Sequence, residues 1–167
     1  MFQLTSPGIH ENRIDSKYGC RGSCIEGVPQ LSLPLSWVDL PKGTVSLALV
    51  FQDYDNVPEE GFSWIHWLAA DIPADRYGLP EDASRQDPDL IQGRNSWMAP
   101  FPPYQKDPSI TDYYGGPAPE RPHHYEFRLF ALDQYLHLKH GFYYNELLRA
   151  MEGHILNEAV LSAVYKP

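Results

Sequence analysis

Residues 46–71 read SLALVFQDYDNVPEEGFSWIHWLAAD, and they set the pattern for the rest of the fold. Two runs of apolar, β-branched and aromatic residues, 46–51 and 64–70, lie on either side of a polar loop that contains a proline. Runs of this kind, bounded by turn-forming residues, are typical of β-strands. The stretch therefore predicts two strands of one sheet with a connection between them.

Three polar side chains in this stretch occupy positions where a strand pattern favours apolar residues or a turn. Asp53 and Asp55 follow the first predicted strand, and His66 lies inside the second. Two carboxylates at the end of one strand and an imidazole on the next strand can meet at one rim of a sheet. We therefore predict a polar cluster there, while noting that aspartate in a loop also commonly caps a turn.

The rest of the chain adds strands and little helix. Residues 123–133, HHYEFRLFALD, alternate in polarity and strongly predict a strand. Residues 144–152 carry apolar side chains at helical spacing and predict a helix, with a second helical turn over 154–158 and a last strand over 159–165. The 16 prolines and 12 glycines favour short elements joined by turns.

Composition limits the classes of partner. The chain of 167 residues has 22 acidic and 13 basic residues, for a formal net charge of −9, which argues against nucleic acid as the main partner. No apolar run approaches the roughly 20 residues of a membrane span, and the first residues do not resemble a signal peptide. We expect one cytoplasmic domain over residues 1–167, without nucleic acid and without stable membrane insertion.

Residues 95–122 are the least regular part of the chain. They contain seven prolines and two glycines, which exclude a long helix or a central strand. Four aromatic residues follow Trp97 in this segment. A long loop in a small domain is commonly functional, and its aromatic content predicts an ordered loop that packs over another part of the molecule.

The candidate polar residues suit three kinds of chemistry. Neutral imidazoles and carboxylates bind metals, imidazolium groups and tyrosine hydroxyls bind phosphate-like anions, and a His/Asp pair can act as a general base. The sequence has no Gly-x-Ser-x-Gly elbow, no Gly-rich phosphate loop and no His-Glu-x-x-His helix. Cys20 and Cys24 lack a second cysteine pair, so the case for a zinc ribbon is weak and two free thiols are favoured. Spacing alone leaves the three chemistries open for Asp53, Asp55, His66, His123, Tyr114 and Tyr125.

Four short motifs resemble the signatures of the phosphatidylethanolamine-binding proteins, a family that includes the Raf kinase inhibitor proteins and bacterial relatives. The motifs keep the family's order, and the resemblance runs from about residue 10 to Tyr165. One departure from the family pattern is Tyr54, which stands where the usual Asp-Pro-Asp motif has its proline. The motifs are Asp53-Tyr54-Asp55, Trp64-Ile65-His66-Trp67, Tyr114-Gly115-Gly116-Pro117 and His123-His124-Tyr125-Glu126-Phe127.

The resemblance implies a mainly β fold, an antiparallel sandwich of two sheets of Greek-key type with one or two short helices near the C-terminus. It implies a non-enzymatic binding protein without a cofactor, a metal site or catalytic residues. Its small pocket would take phosphate, phosphoethanolamine-like or carboxylate groups, with both imidazoles donating in their protonated form. The implied lining is Asp53, Asp55, Trp64, His66, His123 and Tyr125, with Tyr114, Gly116 and Pro117 in a loop that forms one wall.

The resemblance also implies a protein target, either a kinase or a serine hydrolase, which the chain would inhibit or modulate. Two alternatives remain. The first is a metal-dependent hydrolase that uses His66, His123 and the two aspartates. The second is an interaction module that works through residues 95–122. A homodimer is compatible with each of these readings.

Overall fold

The computed structural model describes residues 1–167, and most of its regular structure is β-strand. The two predicted strands of residues 46–71 are present, and both extend a few residues further than predicted. The strands are β1 (Gln3–Thr5), β2 (Ile9–His10), β3 (Arg13–Ile14), β4 (Cys24–Ile25), β5 (Val28–Pro29), β6 (Leu35–Val38), β7 (Ser46–Asp53), β8 (Trp64–Pro73), β9 (Gly78–Leu79), β10 (Ile91–Gly93), β11 (His123–Leu132) and β12 (Ile155–Tyr165).

The helices are short, and none has both the length and the apolar character needed to cross a membrane. The helix predicted over residues 144–152 is present and reaches Met151. The second helical turn predicted over residues 154–158 is wrong, because these residues pair with β11 as the first part of β12. The helices are α1 (Val57–Glu60), α2 (Ala83–Gln86), α3 (Pro108–Thr111) and α4 (Tyr144–Met151), with 3₁₀ turns at Ser16–Tyr18 and Ser96–Met98.

The strands form a seven-stranded sheet in the order β10-β8-β7-β11-β12-β3-β2, a three-stranded sheet in the order β1-β6-β9, and the hairpin β4-β5. Cys24 of this hairpin and the nearby Cys20 are free thiols. The large sheet is antiparallel except where β12 pairs in parallel with β3, at Val164 and Arg13. The prediction of purely antiparallel sheets is therefore corrected at this pair, and the Greek-key connectivity stays a prediction.

Alternation along the central strands divides the core into two parts, because successive side chains point to opposite faces of a sheet. On one face, Phe51 lies directly opposite Phe127, and their rings stack with centroids 3.9 Å apart. Leu35 and Trp37 of the three-stranded sheet belong to the same buried cluster. On the other face, a second cluster includes Leu147 of α4. The large sheet is thus covered on both sides.

Three neighbouring strands have their ends together at one end of the large sheet. Strand β7 ends at Asp53, which pairs with Trp64 at the start of β8. Strand β11 begins at His123, three residues before Glu126, which pairs with Gln52 of β7. The antiparallel register therefore places the end of β7 between the starts of β8 and β11.

Candidate functional site

A cavity of about 250 Å³ opens where these three strand ends meet. Five of the residues predicted for the site line it: Asp53 of β7, Trp64 and His66 of β8, and His123 and Tyr125 of β11. All five side chains belong to buried residues. His66 follows Trp64 at the strand period of two, as Tyr125 follows His123, so each pair faces the same side of the sheet.

Asp55 is not among the residues that line the cavity, and this corrects its predicted place in the lining. Its carboxylate accepts hydrogen bonds from the backbone N–H of His124, at 2.9 Å, and from Nδ1 of His124, at 3.0 Å. The backbone hydrogen bond is the main cause that lowers the pKa of Asp55. Strand β7 ends at Asp53, so the alternation of side chains along the strand does not extend to Asp55. Asp55 instead binds His124 at the start of β11.

Residues Tyr114, Gly116 and Pro117 also lie outside the lining, and this corrects the predicted wall. The buried Tyr114 hydroxyl donates to the carbonyl oxygen of Tyr18 at 2.8 Å. A Cβ on Gly116 would lie 2.3 Å from that same oxygen, so only glycine fits this close approach. The wall itself comes from residues 118–120, and the preceding loop anchors it.

His66 is held by that loop in one orientation. Its Nδ1 donates to the carbonyl oxygen of Gly115 at 2.6 Å, and its Nε2 is buried without a hydrogen-bond partner in the protein. Burial lowers the pKa of His66 to about 4, although the bond to Gly115 and the charge of Asp53 act in the opposite direction. His66 is therefore neutral near pH 7, which does not favour the predicted donation from an imidazolium at this position.

His123 lies between two carboxylates. Its Nδ1 is 2.7 Å from Oδ2 of Asp53, and its Nε2 is 3.2 Å from Oε1 of Glu59 in α1. Only an imidazolium can donate through both ring nitrogens at once. Glu59 also accepts from Arg121 at 2.8 Å, so one carboxylate contacts both the His123 ring and the Arg121 guanidinium at the edge of the cavity.

Four buried polar atoms at the site have no hydrogen-bond partner within the protein. They are Oδ1 of Asp53, Nε2 of His66, and the indole Nε1 of Trp64 and of Trp97. Buried polar groups are nearly always paired, so unpaired atoms on four side chains that line one cavity indicate a place where a ligand completes the hydrogen bonding.

Aromatic rings from residues 95–122 form the rim of the cavity. Trp64 meets Trp97 edge to face at 5.1 Å and Tyr104 at 4.8 Å between centroids. The Tyr104 hydroxyl donates to Glu60, and burial together with this bond raises the pKa of Tyr104 to about 12. The irregular segment is thus packed over the site, as its aromatic content predicts.

Several lining residues were not predicted from the sequence. The aromatic content of residues 95–122 and the consecutive acidic residues of α1 were the available signals, but neither gives a position relative to the three strand ends. The unpredicted lining residues are Asn56, Glu59, Glu60, Trp97, Tyr104, Ala118, Pro119 and Glu120.

The fold and the site together define a β-rich protein with a small polar pocket at one end of its large sheet, the arrangement of a binding protein. The family model for phosphatidylethanolamine-binding proteins matches residues 5–166. The chain therefore belongs to the phosphatidylethanolamine-binding protein family.

Individual relatives agree with this assignment. The uncharacterized Bacillus subtilis protein YxkA is 44% identical over 160 residues, which cover 95% of this chain and 94% of that protein. The phosphatidylethanolamine-binding protein homolog CT736 of Chlamydia trachomatis has a TM-score of 0.79 at 31% identity, covering 99% of this chain and 97% of the other. Escherichia coli YbcL, described as a member of the mammalian family, has a TM-score of 0.77 at 27% identity, with coverage of 99% and 98%.

Proposed function

We propose that this chain is a non-enzymatic binding protein whose cavity holds a small ligand through a phosphate or carboxylate group. The observation that carries the proposal is the buried ion pair of His123 and Asp53 beside unpaired polar atoms of three further side chains. A charge-assisted hydrogen bond of one imidazolium group to an oxyanion is among the stronger contacts available to a small site.

We further propose that the bound ligand belongs to, or changes the affinity for, a protein partner such as a kinase or a serine hydrolase. The support is the resemblance to the Raf kinase inhibitor proteins and the position of the cavity mouth. Two exposed hydrophobic side chains adjoin lining residues: Val57 lies in α1 with Glu59 and Glu60, and the ring of Phe101 packs against Tyr104.

The two alternatives are not better supported. The structure has no group of three or more His, Cys, Asp or Glu side chains placed to hold a metal ion, so the metal-dependent hydrolase lacks a ligand set. Residues 95–122 supply Trp97 and Tyr104 to the cavity, which gives this segment a part in the pocket.

Titration with phosphate or phosphoethanolamine tests the proposal. In nuclear magnetic resonance spectra recorded near pH 6, we expect shifts confined to residues around His66 and His123. His66→Ala removes one polar contact and should weaken binding about tenfold or more, because a hydrogen bond to a charged group contributes about 1.5–3 kcal/mol.

His124→Ala is the matched control for this titration. His124 is the next residue along β11, but it is exposed and pairs with Asp55 outside the cavity, so the variant should bind like the wild type. If the wild type shows no shifts with either ligand, the proposed function is wrong.

Glu59 gives a second prediction, because its carboxylate occupies the Nε2 side of His123 where a ligand oxygen would bind. A ligand must displace it. Glu59→Ala is therefore expected to raise the affinity for phosphate about tenfold, the size of one lost competing hydrogen bond to a charged group. Calorimetric titration measures the change.

Glu60→Ala serves as the comparison for this experiment. Glu60 is the next residue in α1 and also lines the cavity, but it accepts a hydrogen bond from Tyr104 and none from His123. An equal gain in affinity for both variants would show that general negative charge, and not occupation of the His123 position, limits binding.

A further inference from the structure

Two of the unpartnered buried atoms on the cavity residues are hydrogen-bond acceptors, which is unexpected for a site that binds an anion. His66 is the first case. A carbonyl oxygen cannot donate, so the hydrogen in the 2.6 Å contact with Gly115 belongs to Nδ1 of His66. In a neutral imidazole the other nitrogen then carries a lone pair, so the unpartnered Nε2 can only accept.

Asp53 supplies the second acceptor. Its Oδ2 accepts from Nδ1 of His123 at 2.7 Å, while its Oδ1 is buried and has no partner. A carboxylate can only accept hydrogen bonds. Asp53 and His66 line the same cavity, so its lining includes two side chains that each have an unfilled acceptor.

The same cavity offers unfilled donors as well. The indole nitrogens of Trp64 and Trp97 are buried without partners, and an indole can only donate. His123 adds a further donor once Glu59 has moved away. A ligand that completes the site must therefore carry both hydrogen-bond acceptors and at least one donor hydrogen.

The charged groups around the cavity favour a ligand of low negative charge. His66 is faced by the carboxylate of Asp53 and by the imidazole of His123, both of which influence its protonation. Glu59 and Glu60 of α1 and Glu120 of the wall add three more carboxylates to the lining. Each additional negative charge on a ligand is therefore opposed by the lining.

We propose that the cavity binds its phosphate-type ligand as a protonated monoanion, with the P–OH group donating to His66 Nε2 or Asp53 Oδ1 and the remaining oxygens accepting from the indole and imidazole nitrogens. This inference rests on the proposed function and names its ligand class. Free phosphate and phosphate monoesters have such a hydrogen. Sulfate, sulfonates and the phosphodiester group of a phospholipid do not.

Matched small probes test the inference on the full chain. At pH 6, methylphosphonate is mainly a monoanion with one P–OH group. Methanesulfonate has nearly the same shape and the same charge but has no acidic hydrogen, and dimethyl phosphate is a monoanionic diester that also lacks one. Calorimetric titration of each probe should show methylphosphonate binding at least about 100-fold more tightly than the other two, because sites built around a ligand hydroxyl strongly reject analogues without it.

Each result has a defined meaning. Equal affinity for methylphosphonate and methanesulfonate would overturn the inference and leave the proposed function intact. Equal affinity for dimethyl phosphate would also overturn it and would point to a lipid-like diester. No binding of phosphate, phosphoethanolamine or any of the three probes would overturn the proposed function itself.

A substitution at Asp53 provides a second, independent test. Asp53→Asn keeps an oxygen to accept from His123 and replaces the unpartnered Oδ1 with a donor nitrogen. The preference for methylphosphonate over methanesulfonate should then fall about tenfold or more. An unchanged preference in a variant whose spectrum shows the native fold would exclude Asp53 as the acceptor and leave His66. The comparison of probes on the wild-type protein stands even if this variant does not fold.

Discussion

Asp53→Ala is expected to lower the free energy of unfolding by about 3–5 kcal/mol and to abolish detectable phosphate binding. Asp53 and His123 form an ion pair whose side chains are 5% and 2% exposed. Removing one partner of a buried pair leaves the other charge in a poorly solvated position, which typically costs this much. Urea unfolding followed by tryptophan fluorescence measures the stability change.

The same two segments contain an exposed counterpart of this pair, which makes the test sharp. Asp55 and His124 are 3.0 Å apart, with His124 76% exposed, so His124→Ala should cost less than about 1 kcal/mol. If the two substitutions destabilise the protein equally, burial is not what gives the Asp53–His123 pair its contribution.

Acid is expected to destabilise the protein through His66. In the unfolded chain this histidine has its ordinary pKa of 6.5, whereas burial in the folded state lowers its pKa to about 4. Its contribution to stability is therefore complete above pH 6.5 and is lost as the pH falls from 6.5 to about 4. The difference in pKa corresponds to about 3 kcal/mol.

His66→Gln isolates this contribution, because glutamine has a polar side chain that does not titrate. Its unfolding free energy should change with pH by about 3 kcal/mol less than that of the wild type between pH 6.5 and 4. Asp55 does not interfere, since its pKa lies below 3.8 and its own contribution is lost at lower pH. Parallel stability curves for the two proteins over this range would contradict the assignment.

Local periodicity predicted the central strands because it is a property of consecutive residues. Alternation over residues 123–133 correctly indicated β11, and it also placed Tyr125 and Phe127 on one face with His124 turned away. The short strand β10 was not predicted, because three residues are too few for alternation to show. Its Gln92 nevertheless accepts the indole hydrogen of Trp67 and fixes the neighbouring strand.

The site residues that lie on strands were predictable, and those that lie on loops were not. Asp53, His66 and His123 lie at strand ends whose relation follows from the register of neighbouring strands. Glu59 and Glu120 reach the cavity through loops, whose paths depend on contacts between distant parts of the chain. Asp55 was misplaced for the same reason, since it lies two residues beyond the end of β7, where the period of two no longer applies.

The loop at Gly115 links the chemistry of the pocket to a remote part of the chain. The carbonyl oxygen of Gly115 selects which nitrogen of His66 bears the hydrogen, and the loop is fastened by Tyr114 and Gly116 to Tyr18 and Pro29. The first 30 residues contribute no atom to the cavity lining. They nevertheless help determine whether Nε2 of His66 donates or accepts a hydrogen bond. Relatives with different N-terminal segments can therefore differ in ligand preference while their pocket residues are identical.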